Sequence, residues 1–147
     1  MGFIPHYLKP PSIELINYAQ YLFNNLFKSR IVKRVDINDA RWIPKARDCH
    51  NNAISYCELH PDSKPVHGWL YFDLSPIGHV RFIAHSVVQQ PNGELYDITP
   101  AEIKSEYPFI ESNLDDESYS NVLDLLNFAH QISYLDHKLV LKNDATD

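Results

Sequence analysis

HVRFIAHSVVQQPNGELYDIT, residues 79–99, decides how this chain folds. Two runs rich in β-branched and aromatic residues, His79–Gln90 and Glu94–Thr99, flank Pro91-Asn92-Gly93. That pattern predicts an antiparallel hairpin. The turn chemistry then sets the register. A two-residue loop, Asn92-Gly93, would pair 91 with 94, bring His85 opposite Pro100 and send Asp97 to the other side of the sheet. A three-residue loop pairs 90 with 94, so that His85 faces Thr99 and Asp97 is its diagonal neighbour on the same face. Pro suits the first turn position and Asn the second, while Gly accepts the left-handed one, so the longer loop is expected. Diagonal neighbours stand about 7–8 Å apart at the backbone, a gap side chains can close. The hairpin therefore predicts a His85–Asp97 pair, with Ile83 and Val87 on the same face.

Working outward, Pro65–Leu74 (PVHGWLYFDL) reads as a third antiparallel strand, separated from His79 by a Ser-Pro-Ile-Gly turn. Upstream, a short helix begins at Asp48-Cys49, with Asp48 as N-cap and Ala53, Ile54 and Cys57 on one face. Residues 31–47 lack a clean period and read as an extended, basic connection. PSIELINYAQYLFNNLFKSR predicts a helix over 11–29, with Pro11 in its first turn. Its expected buried residues are Ile13, Ile16, Ala19, Leu22, Phe23, Leu26 and Phe27. Downstream, Thr99-Pro100-Ala101-Glu102 fits a capping box opening a short helix. Asp115-Asp116-Glu117 suits the positive end of a helix over about 116–133, with Val122, Leu125, Leu126, Ala129 and Ile132 on its buried stripe. The tail LVLKNDATD is expected to add a strand. These elements make one α+β domain over residues 1–147, a small antiparallel sheet packed against helices.

Composition narrows the class. The 147 residues are 44% hydrophobic with only four Gly, enough apolar surface for a core and unlike a disordered, collagenous or disulfide-stapled chain. No apolar stretch approaches the ~20 residues that cross a bilayer, and MGFIPHYLKPPS lacks the features of a secretory signal. Cys49 and Cys57 on one helix would stand about 12 Å apart, too far to bridge. The expectation is a cytoplasmic protein with reduced thiols and no membrane partner. Net charge is −6, which argues against general nucleic-acid binding. Seven of the thirteen basic residues nevertheless fall between Lys28 and Arg47, running into Cys49.

The chemistry-bearing feature is an ordered trio: Cys49 at a helix start, His85 in a strand and Asp97 in the next strand. A thiol nucleophile needs a stabilised thiolate, a base for its proton and a group that orients the base. A helix N-terminus favours the thiolate, and its unpaired N–H groups can meet an oxyanion.

Cys49-xxx-Ala53 at a helix start, then His85-Ser-Val-Val, a hairpin, and Leu95-Tyr-Asp-Ile-Thr-Pro resembles the papain-like and transglutaminase-like cysteine enzymes. The likeness covers about residues 48–100. It implies a papain-like or transglutaminase-like core in which Cys49 is the nucleophile, His85 the base and Asp97 its orienter. It also implies acyl transfer or hydrolysis on a peptide- or amide-type substrate, a thioester or an ester, with no metal or organic cofactor. The interval from Cys49 to His85 is short for that family, and no Gln shortly before Cys49 supplies an oxyanion donor.

Three further residues are candidates for binding substrate. Asn52 places an amide beside the nucleophile, where the competing reading is an exposed helix face. Trp69 lies in the strand expected to line the cleft beside His85, though strand packing alone would also explain it. Arg81 shares parity with His85 and suits a substrate carboxylate, against a simple surface ion pair. Two other functions stay open: a binding or regulatory domain on the same scaffold without turnover, and a metal site drawn from the eight His and two Cys. The spacings lack the paired steps typical of structural zinc.

Overall fold

The computed structural model of the chain describes residues 12–101, 107–126 and 134–139. Helix α1 spans Ile13–Asn24 and runs into a 3₁₀ turn at Leu26–Lys28. Strands β1 (Arg30–Ile31) and β2 (Lys33–Arg34) follow, then helix α2 (Cys49–Leu59), β3 (Lys64–Leu74), β4 (His79–Gln89), β5 (Leu95–Asp97), β6 (Pro108–Glu111), α3 (Asp116–Leu126) and β7 (Tyr134–Lys138). The fold is α+β.

The expected hairpin register is present. Val88 pairs with Tyr96 and Gln89 with Leu95, Gln90 and Glu94 close the loop at 2.8 Å, and Gly93 holds φ at 90°. The β3–β4 hairpin is long, pairing Lys64–Leu74 with Gln89–His79 throughout.

The sheet differs from the expected antiparallel three in size and sense. Among the described residues, seven strands pair in the order β1-β6-β3-β4-β5-β2, with β7 also on β4, and the β2–β5 pairing is parallel. Only Val32 separates β1, on one edge, from β2, on the other. The 30–34 stretch therefore nearly closes the sheet into a small barrel. The expected extended, basic connection over 31–47 thus holds strand residues at its start. Two-residue strands carry no readable period, and their partners lie far along the chain.

Alternation along β3 and β4 separates two environments. On the outer face Trp69, Val80, Phe82, Ala84 and Ile110 pack against Leu15, Ala19 and Leu22 of α1 and Tyr119 and Leu126 of α3. Further along, Ala53 of α2 packs on Val88 and Ile98. On the inner face Val66, Val87, Leu95 and Phe109 form a smaller cluster flanked by Val32 and Leu70.

The helix faces need correction. α1 buries Leu15, Ala19 and Leu22, whereas Ile13, Ile16 and Phe27 are exposed. Apolar residues occur around most of this helix, so spacing alone does not select the stripe that meets Trp69 and Phe82. Ser12 caps the helix, accepting the Leu15 N–H at 3.2 Å, and Pro11 lies outside the described residues. In α3 Leu126 is buried but Leu125 is exposed, and Tyr119 is a core residue. In α2 Ile54 is exposed while Ala53 is buried. The expected helix after Thr99, the 127–133 end of the C-terminal helix and most of the tail lie outside the described residues, and β7 precedes that tail.

One glycine is demanded by packing. A Cβ on Gly68 would stand 2.3 Å from the Ile110 carbonyl oxygen and 2.6 Å from the Phe109 ring, and Gly68 is the β3 partner of His85. Gly78, at φ 84°, has nothing within 4 Å of such an atom. Gly68→Ala is expected to cost about 3 kcal/mol through overpacking, against about 1 kcal/mol for Gly78→Ala through its left-handed backbone. Denaturant melts of the two variants compare them, and equal losses would contradict the packing account.

Candidate active site

Three segments bring the site together. β7 pairs with His79–Ile83 of β4 and β5 pairs with Val88–Gln89. His85 and Ser86 lie in the interval between, on opposite faces of the strand. The N-terminus of α2 meets β4 here. Arg47, two residues before Cys49, holds a left-handed φ of 61°, a conformation uncommon for a side-chain-bearing residue, and the chain turns there into the helix. Asp48 occupies the N-cap position without a side-chain capping bond. Its carboxylate instead accepts the Asn51 amide at 2.9 Å.

His85 and Asp97 meet on the inner face, as the register requires. His85 Nε2 stands 2.9 Å from Asp97 Oδ2. The same carboxylate accepts the Thr99 N–H through Oδ1 at 3.2 Å and an Arg34 guanidinium N–H through Oδ2 at 3.5 Å. Arg34 also donates to the Thr99 carbonyl at 3.3 Å. Both His85 and Asp97 are buried, which by itself penalises their charged forms. Burial pushes the Asp97 carboxyl up, but the His85 hydrogen bond and charge, the Thr99 N–H and Arg34 outweigh it and hold the group below its usual range. Burial likewise pushes His85 down, and hydrogen bonds to Asp97 and Cys49 with the charges of both raise it to about 9.

Cys49 completes the group. Its thiol is half-buried. Burial would raise it, yet hydrogen bonding and charge from the His50 and His85 imidazoles bring it down to about 6. With Nε2 of His85 engaged by Asp97, Nδ1 is the nitrogen left for the sulfur. Cys49 and His85 titrate as a coupled pair, and across neutral pH the favoured form is thiolate beside imidazolium. Cys57, two turns along the same helix, is pushed up to about 11 by burial alone. The contrast between the two thiols comes from their neighbours.

The structure does not bring the three expected substrate-binding residues to the reacting atoms. Asn52 is 2% exposed and fully engaged: its carbonyl accepts the Lys45 N–H at 3.0 Å, and its amide donates to the Lys45 carbonyl at 2.7 Å and to Thr99 Oγ1 at 3.0 Å. It ties the loop before Cys49 to the chain after Asp97. Trp69 is fully buried, on the face opposite the His85 ring, with its indole N–H on Tyr18 at 3.1 Å. Arg81 forms a two-pronged pair with Asp136 at 2.8 and 2.9 Å and lies over the Tyr134 ring, which is the ion-pair alternative.

Sequence reasoning missed Arg34, whose β2 strand reaches β5 only through a parallel pairing. It also missed the hydrogen bond between His50 Nδ1 and Ser86 Oγ at 2.6 Å. Adjacent pairs Cys49-His50 and His85-Ser86 on facing elements were the available signal. A small cavity beside the pair is lined by Arg34, Leu70, His85, Val87, Asp97 and Phe109. Among the described residues, no group of three His, Cys, Asp or Glu is placed to hold a metal ion, and no helix is long and apolar enough to cross a membrane.

Iodoacetamide labelling of Cys49 is expected to rise with a midpoint about 6, whereas Cys57 labels only in strong alkali. Asp97→Asn removes the charge that holds the His85 proton, so the Cys49 midpoint moves up toward the ordinary thiol value of about 8.5. Mass mapping across a pH series reads both. Asn52→Leu removes three hydrogen bonds of a buried side chain and is expected to cost about 1–3 kcal/mol in a denaturant melt.

No family model, curated protein or solved structure matches this chain, so the chemistry of the Cys49 centre carries the functional assignment.

Proposed function

We propose that this protein is a cysteine-dependent hydrolase or acyltransferase of papain-like or transglutaminase-like kind, acting on an amide, thioester or ester carbonyl. The observation that carries the proposal is the meeting of a depressed thiol with an imidazole anchored by a buried carboxylate at 2.9 Å. A buried pair of this sort is costly unless fully hydrogen-bonded. Perturbed groups grouped around one nucleophile are the physical mark of a reactive centre.

The steps follow from the atoms. The Cys49 sulfur attacks the substrate carbonyl carbon, forming a C–S bond while the carbonyl electron pair moves to oxygen. That oxyanion meets the Cys49 backbone N–H at the positive end of α2. His85 passes its Nδ1 proton to the leaving amine, alkoxide or thiolate, and the carbonyl bond to that group breaks. Water or an amine then attacks the thioester, giving its proton to His85 and releasing Cys49 as thiolate. Asp97 keeps Nε2 protonated throughout, which fixes the ring and its tautomer.

Acyl trapping tests the proposal. A panel of acyl thioesters and activated esters is expected to leave one acyl group on Cys49, read by intact mass and peptide mapping, and none on Cys49→Ser. Asp97→Asn is expected to slow the reaction on the order of 10⁴-fold, as in other nucleophile–imidazole–carboxylate triads. Absence of any acyl adduct on the unmodified protein, or equal acylation of Cys57, would overturn it.

A further inference from the structure

His50, whose imidazole helps to hold down the Cys49 thiol, is the end of a chain. His50 Nδ1 lies 2.6 Å from Ser86 Oγ, and the same oxygen lies 2.5 Å from Nδ1 of His67. His67 Nε2 faces Asp116 Oδ1 at 3.9 Å, where the carboxylate is almost fully in solvent. Tyr119 walls the chain without joining it. Its ring stacks on His67 with centroids 5.0 Å apart and meets His50 edge-on at 5.9 Å, while its hydroxyl donates to the Gly68 carbonyl at 2.7 Å. With Nδ1 of His50 occupied, Nε2 is the nitrogen left for the sulfur.

A serine hydroxyl has one hydrogen to give. If Ser86 donates to one of the two histidines, it must accept from the other, so one Nδ1 carries a proton and the other does not. Two arrangements satisfy this. In the first, His67 Nδ1–H donates to Ser86, Ser86 donates to His50, and His50 presents Nε2–H to the sulfur. In the second every bond points the other way, His50 presents a bare Nε2, and His67 Nε2–H faces Asp116.

We propose that His67, Ser86 and His50 form a proton wire from the solvent at Asp116 to the sulfur of Cys49, with His50 as a second catalytic imidazole of the centre. The proposal rests on the cysteine-nucleophile reading above and gives an alternative to His85, with His50 in its place as donor of the one proton the leaving group takes and acceptor of the one its attacker gives up. Passing from the first arrangement to the second, His50 releases Nε2–H to the leaving group, Ser86 gives its proton to His50, His67 gives Nδ1–H to Ser86, and solvent supplies a proton to His67 Nε2. One proton enters and one leaves. The reverse passage takes a proton from the water or amine that attacks the thioester. Charge on the sulfur selects the arrangement: a thiolate wants the His50 N–H, and a neutral thioester does not. The wire is useful because His85, anchored by Asp97, holds its own proton tightly. Burial meanwhile keeps His67 below its ordinary value, a direction that a charge on His50 would reinforce and Asp116 opposes, so its ring is a neutral carrier.

Nitrogen NMR of the full-length protein carrying isotopically labelled histidine reads the tautomers directly. In the free protein near neutral pH, His50 is expected as the Nε2–H form and His67 as the Nδ1–H form. Alkylating Cys49 with iodoacetamide removes the sulfur's charge, and both rings are expected to switch together. In Ser86→Ala the two rings respond independently. Should that variant fail to fold, the comparison of free and alkylated native protein stands alone. The wire is overturned if both Nδ1 atoms carry protons, if both are bare, if one ring switches alone, or if neither responds to alkylation. Failure of the nucleophile reading is separate: it shows as an ordinary, alkaline labelling midpoint for Cys49, whatever the tautomers do.

Discussion

The 2.9 Å contact between His85 and Asp97 is the constraint on which the site depends. Both groups are withdrawn from water on the inner face of the nearly closed sheet. Withdrawal of a lone charge there would be prohibitive. The pair persists because each oxygen of Asp97 has further donors, from the Thr99 N–H and from Arg34. With its proton held on that side, His85 offers its other nitrogen to sulfur, and the thiol of Cys49 ionises against it. Remove the carboxylate and each later link loosens.

The rest of the fold keeps that contact in place. The three-residue turn at Pro91–Gly93 brings Asp97 diagonal to His85. Gly68, pairing with His85, lets Phe109 lie close over the strand. Parallel pairing of β2 with β5 delivers Arg34 to Asp97. Asn52 joins the loop before Cys49 to Thr99, so the Cys49 helix and the Asp97 strand are tied by one buried amide. The two faces of β4 divide the work: His85 looks inward to Asp97, and Ser86 looks outward to His50 and His67.

Much of the centre was legible because local chemistry controlled it. Pro-Asn-Gly dictates a turn length, turn length dictates register, and register puts His85 and Asp97 on one face. The Cys49 helix start was legible from its flanking residues, although Asp48 spends its carboxylate on Asn51 and leaves the helix backbone alone. Illegible parts depended on distant partners. β1, β2 and β6 are too short to show alternation. The buried side of α1 is settled by what Trp69 and Phe82 present to it, since its apolar residues occur around most of the helix. Trp69 and Asn52 carry groups suited to binding, yet one fills the core and the other ties two segments together. His50 and Ser86 became meaningful only once α2 lay across β4.

The most direct measurement of the central claim is the ultraviolet absorbance of the thiolate, followed by pH titration in the native protein and in Cys49→Ala. The account requires a thiolate band already present at neutral pH, lost on acidification with a midpoint about 6 and missing from Cys49→Ala. A band that grows in only over the alkaline range of an ordinary thiol, or one that survives in Cys49→Ala, would contradict it.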